Sequence, residues 1–305
     1  MSGAAARGAV PGAVVRAAPA KLNLTLRVVG ERADGYHELD SIVAFTALGD
    51  VVRAEAADRL TLVIDGPFAS ALANAAPAAD NLVLRAATAL ATATGTAHGA
   101  RLILTKNLPI ASGIGGGSAD AAAALLALGA LWGTALDRSA LHALALALGA
   151  DVPVCLDGMA CRMQGIGERL TPLAALPAAP VVLVNPGVPL ATAAVFRART
   201  APFSPVLDAA LAMPADAAGL AALVRHGGND LEAPAGALLP AIGGVLEALG
   251  ARPGCLAAAM SGSGATCFGV FDRDETAALA AGYLRAAQPA WWVAATRLKG
   301  VPAAG

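Results

Sequence analysis

Along residues 20–29 the chain reads AKLNLTLRVV, an apolar–polar alternation of period two that predicts a half-buried strand. Shorter runs of the same kind over 40–44, 51–54 and 60–64 predict three further strands. The period then lengthens. Residues 81–94 form an apolar helical pattern, with Asp80 or Asn81 placed to cap it. Residues 101–106 read as a strand, 119–132 as an alanine-rich helix, and 139–148 as a second helix closed by Gly149. A proline-rich stretch over 171–180 marks the expected domain boundary, dividing residues 1–172 from 173–305. Beyond it the pattern predicts a strand at 181–184 and helices around 215–224 and 238–249. A strand near 267–271, a helix over 275–287 and a final strand over 291–296 complete it. Consecutive strands early on, helices interleaved and no clean βαβ repeat make this an α+β pattern in both halves.

Between the strand 101–106 and the helix 119–132 lies LPIASGIGGGSAD, residues 108–120, with four glycines and two serines. Small side chains there leave backbone N–H groups open to a ligand. At a helix N-terminus those donors and the positive end of the dipole make an anion site. The segment therefore reads as a phosphate cradle. It is not a Walker loop, because no lysine lies inside it and Ser118 follows Gly117 directly. Nor is it a dinucleotide fingerprint: counting from Gly113, the sixth position is Ser118, and a helix follows where a second strand with its acidic residue is required. A flexible linker of this composition would not join a strand to a strong helix.

Composition narrows the classes. A length of 305 residues suggests two ordinary domains, and a net charge of −1 argues against a large nucleic-acid footprint while leaving a small nucleotide open. Hydrophobic residues make up 57% of the chain, but the longest uncharged run, 170–196, is broken by five prolines and does not suit a membrane-spanning helix. Residues 1–21 lack a sustained apolar core and are expected to be a ragged extension, not a signal peptide. Cys155, Cys161, Cys255 and Cys267 show no C-x-x-C spacing and the four histidines are scattered, so neither a zinc cluster nor a disulfide framework is supported. The expected compartment is the cytoplasm.

Three further segments carry chemistry. In Pro19-Ala20-Lys21-Leu22-Asn23-Leu24, strand alternation puts Lys21 and Asn23 on one face; Gly30 to His37, GERADGYH, follows shortly. In Gly149-Ala150-Asp151-Val152-Pro153 the aspartate stands where a helix N-cap is expected. In Met260-Ser261-Gly262-Ser263-Gly264-Ala265-Thr266 a second glycine loop runs into a strand; alone it is equally compatible with a tight hairpin.

Taken in order, residues 19–24, 32–37, 115–118, 149–153 and 260–266 resemble the GHMP kinase family of small-molecule kinases, and within it the branch that acts on a cytidine diphosphate-linked methylerythritol. The resemblance implies a two-domain α+β fold. Its N-terminal half would be like the second domain of ribosomal protein S5 and its C-terminal half ferredoxin-like, with the site in the cleft between them. It implies transfer of the ATP γ-phosphoryl group to the 2-hydroxyl of that alcohol, in the non-mevalonate route to isoprenoid precursors. By the same match Asp151 is the catalytic base and Lys21 the catalytic lysine, whose ammonium would stabilise charge developing on the phosphate. Pro109, Ile110, Ala111, Ser112, Gly113, Ile114, Gly115, Gly116, Gly117, Ser118 and Ala119 would wrap the ATP phosphates, with Ser118 available to Mg²⁺. Tyr36 and His37 would meet the cytosine, Asn23 the erythritol end, and Gly262, Ser263 and Gly264 the diphosphate or the acceptor. Asn81 would border the adenine, with capping a companion role for Asp151. Ile114 stands where the family favours leucine, and Ala119 where it often has a second serine, so Ser118 must suffice as the hydroxyl ligand. The expected partner is this small molecule, with no nucleic acid or membrane; monomer and homodimer remain equally open. The alternatives are another alcohol kinase of the family, which RADGYH, residues 32–37, argues against, and an inactive nucleotide-binding regulator, which the presence of Lys21 and Asp151 argues against.

Overall fold

A computed structural model of the chain describes residues 12–301 except 76, 78, 79, 135 and 209–212. Strand order begins earlier than the alternation suggested. Strand β1 spans Ala13–Asn23, so the expected ragged extension is a paired strand from Ala13 onward; residues 1–11 lie outside the described residues. In the first part of β1, up to Ala20, the buried positions are Val14, Ala18 and Ala20, and alanine gives too weak a period to be read from sequence. The strand expected over 20–29 is two: β1 ends at Asn23, and β2 is Arg27–Glu31. Between them the Leu24 N–H still donates to Ile42 O (2.8 Å), but the Leu26 N–H donates to Gly228 O in the C-terminal half (2.9 Å). Where two short strands were expected, β3 runs unbroken for 21 residues, His37–Ala57. It stays continuous because β1 follows it from Glu55 to Val43, absorbing an irregularity between Pro19 and Lys21. Gly49 is required at that crossing, since a Cβ there would lie 2.3 Å from Ala18 O.

Strand β4 (Thr61–Asp65), helices α1 (Ala69–Ala75) and α2 (Leu82–Thr94), and β5 (Gly99–Thr105) form one βαβ crossover, with β4 parallel to β5. Asn81 caps α2, its side chain accepting from Val83 N–H. Helices α3 (Gly116–Trp132), α4 (Arg138–Leu148) and α5 (Val152–Asp157) follow, then β6 (Cys161–Gly165) and β7 (Arg169–Pro172). The first sheet has the order β4-β5-β3-β6-β7, with β1 and β2 also paired to β3. Helix α3 is largely apolar and mostly buried, with Leu126 on its exposed side; its run of alanines packs among Val43, Phe45, Leu102 and Leu104 of the sheet.

The remaining elements are β8 (Pro180–Asn185), α6 (Thr192–Ala198), α7 (Ala217–Gly227), α8 (Glu232–Leu238), α9 (Ala241–Gly250), β9 (Cys255–Met260), β10 (Cys267–Phe271), α10 (Asp274–Ala287) and β11 (Trp292–Arg297). Their antiparallel sheet has the order β11-β8-β10-β9, the ferredoxin-like arrangement of a first, second, third and fourth strand laid out as fourth-first-third-second. Alternation along β8 sends Val182 and Val184 toward α9 and α10, and Val181 and Leu183 toward Ala20, Leu22 and Ile42 of the first sheet. That second set is a core shared by both halves. The chain beyond β11 returns to the first sheet, where Leu298 bridges Thr46 and the Lys299 N–H donates to Phe45 O (2.7 Å). No helix among the described residues is long and apolar enough to cross a membrane.

Candidate active site

Lys21 enters the site at the irregularity in β1, and its N–H donates to Ile114 O (2.9 Å), which fixes the strand against the first glycine loop. Its Nζ lies 2.7 Å from Asp151 Oδ1; the lysine side chain is 4% exposed and the carboxylate 40%, so the pair is buried at one end and open at the other. Gly115, at φ +65°, makes room for it: a Cβ there would sit 3.1 Å from Lys21 Cβ. The capping role expected of Asp151 is not realised. Asp151 stands at the start of α5 in a helical conformation, and its side chain makes no capping hydrogen bond. The Gly149 carbonyl takes the Val152 N–H instead, leaving the carboxylate to Lys21. Asn23 is buried, its Nδ2 donating to Ser41 Oγ (2.8 Å) and its N–H to Ser261 Oγ (3.1 Å).

The two glycine loops face each other. In the first, Ala111, Gly113 and Gly115 have positive φ, and Ser112 Oγ braces the turn by donating to Pro109 O (2.7 Å). Helix α3 begins at Gly116, earlier than expected, so Gly116, Gly117 and Ser118 are its first residues. The second loop is stitched to the first: Ser261 Oγ donates to Gly113 O (3.2 Å) and Thr266 N–H to Ser112 O (3.1 Å). Gly113 must lack a side chain, because a Cβ there would approach Gly264 O to 2.5 Å.

Between the loops is a cavity of about 640 Å³ lined by Lys21, Asn23, Asp151, the first loop from Pro109 to Gly113, Gly115–Ser118, Gly262 and Ser263. Ile64, Leu72 and Leu82 are apolar lining residues with Asn81 beside them; Leu190, Phe196 and Leu231 are others. The structure thus brings Lys21, Asn23, Asp151, most of the first loop and part of the second together. Ile114 and Ala119 are instead packed in the core. Gly264 does not line the cavity, and Tyr36 is 59% exposed and stands off it. His37 reaches the site through a neighbour: its ring lies 4.9 Å from that of Phe196, which does line the cavity.

Sequence reasoning missed Phe196 and a buried charged cluster beneath the first loop. Lys106 donates to both Asp50 and Asp120, the latter at 2.8 Å, and Asp50 Oδ1 also accepts the N–H groups of Asn107 and Leu108. All three side chains are at most 4% exposed. Two charged residues bracketing a loop that otherwise carries none were the available signal. Burial opposes the Lys106 ammonium, but the two carboxylates outweigh it and hold its pKa above the ordinary lysine value. Burial likewise dominates at Asp120 and, despite attraction to Lys106, pushes its pKa up to about 7; its Oδ1 has no hydrogen-bond partner among the described residues. A carboxyl whose pKa is raised on folding stabilises the fold below its unfolded pKa of about 4 and loses that contribution as pH rises toward 7. The difference in unfolding free energy between the wild type and Asp120→Asn should therefore shift against the wild type between pH 4 and 7; a difference that stays flat would refute the buried-acid reading.

Family models match the chain twice, as the N-terminal domain of GHMP kinases over residues 81–159 and as the C-terminal region of GHMP kinases over residues 206–290. A 4-diphosphocytidyl-2-C-methyl-D-erythritol kinase of Paramagnetospirillum magneticum is 53% identical over 281 residues, covering 92% of this chain and 97% of the relative. The enzyme of the same name from Rhodospirillum rubrum is 49% identical, covering 95% and 96%. A solved 4-(cytidine 5'-diphospho)-2C-methyl-D-erythritol kinase superposes with TM-score 0.77 at 40% identity, covering 94% of this chain and 100% of that one. Homoserine kinase from Cytophaga hutchinsonii shares the fold, with TM-score 0.64 at 18% identity and coverage of 98% and 100%. The chain belongs to the GHMP kinase family and, within it, groups with the 4-diphosphocytidyl-2-C-methyl-D-erythritol kinases.

Proposed function

We propose that this enzyme transfers the γ-phosphoryl group of ATP to the 2-hydroxyl of 4-diphosphocytidyl-2-C-methyl-D-erythritol, in the non-mevalonate route to isoprenoid precursors. The Lys21–Asp151 pair, set between two glycine loops in one cavity, carries this reading. In the step, a bond forms between the hydroxyl oxygen and the γ-phosphorus while the bond to the β,γ-bridging oxygen breaks. Asp151 takes the hydroxyl proton and ADP leaves. The Lys21 ammonium orients the carboxylate and offsets charge on the transferring group; phosphoryl transfer asks mainly for this positioning and neutralisation.

Residues 109–119 receive the ATP phosphates, with the free N–H groups at the start of α3 as donors. The Ser118 hydroxyl lines the cavity and makes no hydrogen bond among the described residues, so it fits a place in the shell of Mg²⁺. That ion supplies charge neutralisation at the phosphates when bound. Asp120, two positions further along the helix, lines the same cavity and is engaged by Lys106. Asn81 and Leu82 border the adenine, and Asn23 meets the erythritol end. Tyr36, His37 and the Phe196 wall take the cytosine, and Gly262 and Ser263, the two residues of the second loop that line the cavity, take the diphosphate. Strands up to Pro172 belong to one sheet and strands from Pro180 to the other, which supports domains of 1–172 and 173–305. Four free thiols suit a reducing cytoplasm.

The test is ADP release with Mg-ATP and, in turn, the cytidylated alcohol, mevalonate, homoserine and galactose. Turnover is expected with the cytidylated alcohol alone. Turnover with another alcohol would leave the Lys21–Asp151 chemistry standing and overturn the cytosine assignment of Tyr36 and His37.

A further inference from the structure

Asn229 and Asp230 sit between α7 and α8, outside the groups assigned so far. The Asn229 side-chain amide donates to the carbonyls of both Met260 and Gly262 (2.9 Å each), while its oxygen accepts the Leu231 N–H (2.9 Å). Three of the four hydrogen-bonding positions of that amide are thus spent on backbone, two of them on the second glycine loop. The consequence lies in what those carbonyls no longer do. Both are held on the Asn229 side, and the N–H groups of Gly262 and Ser263 have no acceptor among the described residues, in a stretch that lines the cavity. An oxygen turned into the cavity would repel an anion; an N–H there attracts one.

Asp230 anchors the same segment to the other half of the chain. Its Oδ2 accepts the Val28 N–H (2.7 Å), and its own N–H donates to Leu26 O (2.9 Å), a few residues beyond Lys21 and Asn23.

We infer that Asn229 is a positioning residue, which orients the second glycine loop so that its free amides receive the acceptor's diphosphate, with Asp230 holding that loop in place relative to the strand of Lys21. The inference rests on the proposed function.

Isothermal titration of Asn229→Ala with 4-diphosphocytidyl-2-C-methyl-D-erythritol, with cytidine and with a non-hydrolysable ATP analogue tests it. Loss of hydrogen bonding to a charged group predicts about 10- to 100-fold weaker binding of the diphosphate compound. Cytidine, which lacks the diphosphate, and the ATP analogue should bind as to the wild type within about twofold. Equal weakening of all three, or full affinity for the diphosphate compound in a folded variant, would overturn the assignment. Hydrogen exchange on the wild type gives a readout that does not depend on the variant's folding. The peptide carrying Gly262 and Ser263 should gain protection with the diphosphate compound and not with cytidine; equal protection by both would also overturn it. If the wild type binds neither cytidylated molecule, the functional reading itself falls, and that result is distinct from a variant that fails to discriminate.

Discussion

Asp151→Asn will fold, bind ATP and transfer phosphate about 10²- to 10⁴-fold more slowly, the usual worth of a positioned general base. The amide keeps the shape of the carboxylate but cannot take the hydroxyl proton, and it leaves the Lys21 ammonium without its anion. Folding should be nearly indifferent. Asp151 makes no capping bond, and its side chain is 40% exposed at the one ion pair it forms. Single-turnover transfer measured beside ATP titration separates the two effects. Near-native transfer would remove Asp151 as the base, whereas a parallel loss of ATP affinity would turn it into a nucleotide-binding residue.

Lys106→Met should produce the largest loss of stability. It leaves Asp50 and Asp120 side by side in a site where neither is more than 4% exposed, with no cation between them. Breaking a buried ion pair on one side costs about 3–5 kcal/mol, and each kcal/mol lowers Tm by roughly 2–4 °C in a chain of this order of size. The fall should depend on pH in a definite sense. Without the ammonium, two neighbouring carboxylates can only coexist by binding a proton, so the variant regains stability as the solution becomes acid. Thermal melts of both proteins at pH 5 and pH 8 check this: the gap should narrow at pH 5. A gap that is the same at both values would mean that lost packing of the lysine stem, and not charge, sets the cost.

Much of the site was legible because its residues sit in short local patterns. Lys21 with Asn23, residues 109–118, Asp151 and Gly262 with Ser263 are each marked by neighbours in sequence, and the fold gathers them into one cavity. The unread residues owe their place to pairing between distant segments. Asp50 and Lys106 are 56 positions apart and meet because β3 lies beside β5, with Val51 opposite Thr105. Phe196 is a lone aromatic after a proline-rich run, and only α6 turns its ring toward His37. Element boundaries failed for a related reason. In the first part of β1, up to Ala20, two of the three inward positions are alanine, and β7, RLTP, has no apolar alternation. Both are strands because of what they pair with, β3 and β6, and not because of their own residues.

The return of residues 298–299 to the middle of β3 sets an order of events during synthesis. On a ribosome the first sheet can assemble around α3 as soon as β7 has emerged, and the first glycine loop is already in place. Its facing loop, and the Ser261 hydroxyl that joins them, appear only much later. The clasp of residues 298–299 on Phe45 and Thr46 comes later than that loop. A nascent chain thus carries half of a phosphate site from residue 118 onward, and the other half can form only once residues 260–266 have been made.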